Sequence, residues 1–157
     1  MKRIHQEIQQ EKFASAEQEL MVNLLFTAKQ LEGRIGQLLK PYGLSHAQYN
    51  VLRILKGQKG SALSVKAIAS RMMDSNSNVS RLIDKLLKNA WVERVSCPAD
   101  RRQVDVRILP KGLNLVEEIG KEFKRRGMDQ AALDEGQPQA LSKALDEYRN
   151  HKLNIIK

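Results

Sequence analysis

Between positions 75 and 88 the chain carries Ser75, Asn76, Ser77, Asn78, Ser80, Arg81, Lys85 and Lys88. Short amides and hydroxyls interleaved with cations are the groups that meet base edges and phosphate oxygens, the former by hydrogen bonds and the latter by charge. The apolar residues of the same stretch, Val79, Leu82, Ile83, Leu86 and Leu87, recur at helical spacing, so the polar set falls on the opposite, outward side. The first four polar residues sit where a helix would start, and unpaired backbone N–H groups there also favour phosphate. Asp74 or Ser75 is the expected N-cap. A second group lies in Pro98-Ala99-Asp100-Arg101-Arg102. Two adjacent arginines on a hairpin tip suit the negative potential of a minor groove, and Asp100 could brace one of them through a bidentate ion pair.

The charge is placed to match. Residues 33–73 carry seven basic side chains (Arg34, Lys40, Arg53, Lys56, Lys59, Lys66, Arg71) and no acidic one, and residues 74–112 carry eight basic against five acidic. Residues 1–32 carry four and five, and residues 113–157 eight and eight, so the whole net charge of +9 belongs to the middle of the chain. Such a field attracts a polyanion, with double-stranded DNA or RNA as the natural candidate. Aromatic residues make up only 4% of the sequence, which argues against gripping single strands by stacking.

Other chemistries find little support. His5, His46 and His151 share no metal-ligand spacing, so neither a metal nor any other cofactor is expected. No phosphate-cradling glycine loop and no recognisable Ser/His/Asp context is present, so the chain reads as no enzyme. Gly33-Arg34-Ile35-Gly36 imitates a backbone-clamping RNA motif but lies within a helical pattern, where the glycines would serve close packing or a bend. The lone cysteine, Cys97, excludes a disulfide framework and suits a reducing compartment. Beside Arg94, Arg101 and Arg102 its thiolate would be favoured, so a redox role stays open next to an incidental one. Met1–Gln10 lacks the apolar core of a signal peptide, and no stretch is long and apolar enough for a membrane span. A cytoplasmic protein without membrane contact is the expectation.

The elements that must position these groups follow from periodicity. Leu20, Leu24, Ala28, Leu31, Ile35 and Leu38 mark one face of a long first helix that Pro41 ends. Ser45 caps a second helix with Tyr49, Leu52 and Leu55 buried, and Gly57 stops it. Ser64 caps a short third helix (Val65, Ile68, Ala69, Met72), in which small Ala69 would let the next helix cross closely. Together with that next helix it describes a helix-turn-helix with a tight turn. The period then changes to two: Trp91–Ser96 and the alternating Val104-Asp105-Val106-Arg107-Ile108 predict a hairpin joined by the polar loop 97–103. Pro110 opens a further helix (Leu113, Val116, Ile119, Phe123), and a last one turns Leu141, Ala144, Leu145 and Tyr148 inward. The fold class is therefore mainly α with a small β-hairpin wing: a single domain, 1–157, made of an N-terminal helical region (1–41), a winged helix-turn-helix (44–112) and C-terminal helices (113–157). The terminal helices carry apolar stripes beyond the winged-helix core, and a symmetric dimer would cover them. Tyr42, Tyr49, Met21 and Phe26 are candidates to line a ligand cavity.

Three segments carry a resemblance to a known family: Leu44-Ser45-His46-Ala47-Gln48-Tyr49, Asn78-Val79-Ser80-Arg81-Leu82-Ile83-Asp84-Lys85-Leu86, and Asp100-Arg101-Arg102-Gln103-Val104-Asp105-Val106 followed by Lys111-Gly112. From Leu44 to Gly112 the chain resembles the winged-helix core of the multiple-antibiotic-resistance regulator (MarR) family of bacterial transcription factors. The resemblance implies a homodimer with interlocked terminal helices, placing two recognition helices in successive major grooves of an inverted-repeat, pseudo-palindromic operator. It also implies Arg102 as wing-tip arginine with Asp100 as its brace. A repressor role follows by the same analogy, with release by a small phenolic or lipophilic effector. Ala90, Gln103 and Leu109-Pro110 depart from the family pattern, in which glycine, glycine and Leu-Thr are usual. The alternative on the same residues is a winged helix whose basic face binds RNA or protein non-specifically.

Overall fold

The computed structural model describes residues 2–74, 77–96, 104–128 and 133–150. They fall into two compact units, 1–120 and 121–157.

In the first unit a short helix, α1 (Ile4–Glu7), precedes the long α2 (Ala16–Leu39), whose start is capped by the Ser15 hydroxyl accepting from the Gln18 N–H. Pro41 sits in a 3-10 turn, Lys40–Tyr42, and Gly43 leaves it at φ 67°, a left-handed conformation that glycine adopts without a Cβ clash. Ser45 then starts α3 (His46–Lys56) through a reciprocal cap: its hydroxyl accepts from the Gln48 N–H, and its own N–H donates to Gln48 Oε1. Ser64 caps α4 (Val65–Ala69) in the same way, accepting from the Ala67 N–H.

Helix α5 spans Val79–Lys88. The strands are β1 (Leu63–Ser64), β2 (Val92–Ser96) and β3 (Val104–Ile108), in the order β1-β3-β2 and antiparallel throughout. Val92 faces Ile108 and Ser96 faces Val104 in the hairpin register, and Leu63 pairs with Val106 at the other edge. Helix α6 (Pro110–Arg125) begins directly after β3. Leu38, Leu39, Val51, Leu52, Leu55, Ile68, Ile83, Leu86, Val106 and Ile119 are fully removed from solvent and form the core. Burial of this kind, at roughly 25 cal/mol per Å² of apolar surface, is what holds helices as short as α4 in place.

Several expectations are corrected. The helix-turn-helix lacks a tight turn, since nine residues, 70–78, separate α4 from α5. Ala69 is exposed, and Ile68 is the α4 residue turned into the core. The cap of α5 is Asn78, with neither Asp74 nor Ser75 in that role: the Asn78 side-chain oxygen accepts from the Arg81 N–H at 3.1 Å, while Asp74 and Ser77 form a separate turn upstream. The first wing strand starts at Val92, because the Trp91 N–H is turned back to the Leu86 carbonyl. A Cβ at Gly33 or Gly36 would meet nothing within 4 Å, so neither glycine serves close packing among the described residues.

In the second unit α7 (Gln137–Asn150) has no buried residue. Leu141, Ala144 and Tyr148 are exposed and Leu145 is half-buried, so the inward face expected of this helix is open in the single chain. In the same unit Arg125 and Arg126 donate to the Glu122 carboxylate and hold its pKa down to about 2, so it is ionised throughout the neutral range.

Candidate nucleic-acid interface

Helix α5 separates its two faces cleanly. Val79, Ile83 and Leu86 are buried, while Ser80, Arg81, Lys85 and Lys88 are exposed. Arg81, Lys85 and Lys88 follow one another at spacings of four and three, so they form a single cationic stripe along the helix. Among the described residues no carboxylate is paired with any of the three. The last two also sit in the final turn, where positive charge complements the helix dipole.

The upstream polar residues have prior engagements. Asn78 caps the helix, and the Ser77 hydroxyl donates to Asp74 Oδ2 at 2.9 Å. Their side chains shape the entry to α5 before they can read anything. Ser75, Asn76, Asp100, Arg101, Arg102 and Cys97 lie outside the described residues.

The far end of α5 is locked into the wing. Asn89 and Ala90 close the helix with a left-handed turn, Ala90 at φ 54°, in which the Ala90 N–H donates to the Leu87 carbonyl and the Trp91 N–H to that of Leu86. Alanine there forgoes the freedom glycine would have, at a cost of roughly 1 kcal/mol. Lys111 Nζ donates to the Asn89 carbonyl at 3.0 Å, satisfying one of the helix's last acceptors. The Trp91 carbonyl accepts from the Leu109 N–H at 2.9 Å. A Cβ on Gly112 would stand 2.3 Å from that same oxygen, so only glycine lets the start of α6 approach this corner.

Two ion pairs at this corner escaped sequence reasoning. Arg94 on β2 donates to Asp84 on α5 at 2.7 Å, and Arg107 on β3 donates through Nε and Nη2 to one oxygen of Glu93 across the hairpin, at 2.9 and 2.6 Å. Register supplies the second, since Glu93 and Arg107 are direct cross-strand partners.

A cleft of about 370 Å³ lies between α2, α3 and the segment after α4, lined in part by Glu32, His46, Asn50, Met72, Met73 and Asp74. The Asn50 amide points at Met72 Sδ, 3.9 Å away. None of the four residues expected to line a cavity is in its wall: Tyr49 is buried in the core, Met21 is exposed, and Phe26 lines two other grooves along α2, of about 460 and 270 Å³. Among the described residues no group of His, Cys, Asp and Glu is placed to hold a metal ion. No helix among them is long and apolar enough to cross a membrane.

A capped helix presenting a cationic stripe, followed by an antiparallel hairpin closed by a third short strand, defines a winged-helix protein. The MarR family model matches residues 44–104, the segment from just before α3 to the first residue of β3. Over this segment the chain resembles the MarR family. The HTH-type transcriptional regulator PrsX of Escherichia coli is 26% identical over 104 residues, 66% of this chain; the match spans 63% of PrsX, a little under two thirds of that relative's length. Among solved structures, AbsC, a MarR family transcriptional regulator from Streptomyces coelicolor, shares the fold at a TM-score of 0.74 and 22% identity, covering 89% of this chain and 97% of its own. A mutant of MepR from S. aureus, bound to an oligodeoxyribonucleotide, has a TM-score of 0.57 and 18% identity over 83% of this chain and 95% of its own. PrsX and AbsC are both transcriptional regulators.

Proposed function

We propose that this protein is a dimeric, sequence-specific, DNA-binding transcriptional regulator that represses from an inverted-repeat operator. The observation that carries the reading is the stripe Arg81-Lys85-Lys88, exposed and without ion-pair partners among the described residues, on a helix whose other face is buried. A stripe of this kind fits a major groove, where Arg81 reaches guanine or phosphate and the lysines neutralise phosphate. The oligodeoxyribonucleotide bound to the MepR mutant supports the same use of the fold. In this reading Ser75, Asn76 and Ser80 contact the backbone or base edges near the helix start, and Arg101 and Arg102 enter the minor groove from the wing with Asp100 as brace.

Dimerisation is supported by α2, which leaves Leu20, Met21, Leu25 and Leu31 exposed, and by the open face of α7. Two copies related by a two-fold axis would set their recognition helices about 34 Å apart, one turn of the duplex. A dimer seated on a promoter keeps polymerase off it, which is repression in its simplest form, and the work is done in the cytoplasm on nucleoid DNA. The cleft of about 370 Å³ has the size and the thioether lining to take a small lipophilic or phenolic effector, and its position at the connector before α5 would couple occupancy to the helix.

The test is a salt-titrated mobility-shift assay with a duplex selected from a random pool. The selected duplex is expected to bind on the order of 10³-fold or more tightly than random duplex. Arg81→Ala and Arg102→Ala should each weaken binding by roughly 10- to 100-fold while the dimer persists. Equal binding of every duplex, or of RNA, would replace this reading with a non-specific one, and loss of the dimer in either variant would refute the assigned roles.

A further inference from the structure

An acidic residue on a face meant for a polyanion needs a reason, and Asp84 stands one turn beyond Ser80 and Arg81 and one turn before Lys88, exposed like them. Its carboxylate accepts from Arg94 Nη2 at 2.7 Å, and both side chains are about half exposed (51% for Asp84, 49% for Arg94). Water and salt screen such a pair, so it contributes little to folding. Its effect lies in where it leaves the Arg94 guanidinium. Arg94 belongs to β2, the first strand of the hairpin, and the other arginine of this corner, Arg107, is likewise held by Glu93. The corner thus contains two classes of cation: those of the α5 stripe, which no carboxylate engages among the described residues, and those of the hairpin strands, which are both engaged.

We propose that Asp84 is a positioning and specificity-determining residue for duplex recognition, acting through Arg94. By holding that guanidinium against α5, Asp84 keeps it from serving as a free phosphate anchor and fixes the wing's first strand to the recognition helix. A mobile arginine at this place would add a phosphate contact to any duplex, whatever its sequence, and each such contact steepens the salt dependence by about one unit of log K against log salt. Such a contact is worth most on a duplex that offers few others, so a matched operator gains less than a random duplex does. The pair therefore exchanges raw affinity for discrimination, the outcome expected when a charge is neutralised within the protein and withheld from the ligand. The inference rests on the DNA-binding reading above.

The experiment compares wild type, Asp84→Asn, Asp84→Glu and the double variant Asp84→Asn/Arg94→Gln against the selected duplex and a random one over a salt titration, with thermal unfolding as a control for the fold. For Asp84→Asn the random duplex is expected to bind about tenfold more tightly at low salt, with a slope steeper by about one. The ratio of specific to random affinity should fall about tenfold. Asp84→Glu, which keeps a carboxylate within reach, should retain the wild-type ratio within about twofold, and the double variant should lose the added slope because the released cation is gone. An unchanged ratio and slope in Asp84→Asn, beside a wild type that does discriminate, would overturn this inference alone. So would a steeper slope that persists in the double variant, or an Asp84→Glu protein that discriminates no better than Asp84→Asn. A wild type without any duplex preference would overturn the functional reading and this inference with it.

Discussion

Helices α5 and α2 are both amphipathic, yet they stand differently in the single chain. In ten residues α5 buries Val79, Ile83 and Leu86 and offers solvent only polar groups along its outer stripe. In twenty-four residues α2 buries only Leu38 and Leu39, at its very end, and leaves Leu20, Met21, Leu25 and Leu31 open, Leu25 at 66% exposure. The winged-helix part is thus complete within one chain. The long helix carries apolar side chains that stay exposed, and water penalises such a face until another surface meets it. In the proposed reading one region presents chemistry to a ligand, and the other presents hydrophobic area to a second copy.

That contrast can be broken most forcefully at α2. Leu25→Glu combined with Leu31→Glu should convert the dimer to a monomer by analytical ultracentrifugation, with helical circular dichroism retained and operator affinity reduced by at least about 100-fold, since each half-site then binds alone. An unchanged sedimentation mass would show that the exposed leucines are not the dimer contact. On the winged-helix side the largest effect is expected at Gly112. Alanine there drives a methyl into the Trp91 carbonyl, and Gly112→Ala should destabilise the fold by about 2–3 kcal/mol in thermal or urea unfolding. A loss below about 0.5 kcal/mol would mean that the corner yields easily. The smallest effect sharpens the same comparison. Ala90→Gly relieves the left-handed strain at the end of α5 but adds freedom to the unfolded chain, so a net gain of about 0.5 kcal/mol is expected, readable as a small rise in Tm with DNA binding unaltered.

Much of this architecture is legible in the residues alone, for identifiable reasons. The strict alternation at 104–108 predicts β3 with its observed limits, and Ser45, Ser64 and Pro110 mark helix starts that the structure retains. Strand β1 is two residues long and leaves no period to detect. The cap of α5 is ambiguous because Asp74, Ser75, Asn76, Ser77 and Asn78 are all residues that can accept from a helix N–H, and only the backbone path singles out Asn78. The Asp84–Arg94 pair joins a helix to a strand across a turn, a juxtaposition that no local spacing encodes. For α2 and α7 the periodicity correctly finds an apolar side but says nothing of what covers it. The candidate interface follows the same division: the cations of α5 are readable from their spacing, whereas the acids that restrain the hairpin arginines emerge only once the strands are paired.

The Trp91 carbonyl, with the Leu109 N–H on it and the bare backbone of Gly112 beside it, has a mechanical meaning. Where no side chain cushions a junction, its parts cannot slide past one another. The end of α5, the root of the hairpin and the first turn of α6 must therefore turn as one piece, and a small tilt imposed on that turn reaches the exposed side chains of α5 undiminished, as motion does along a welded crank.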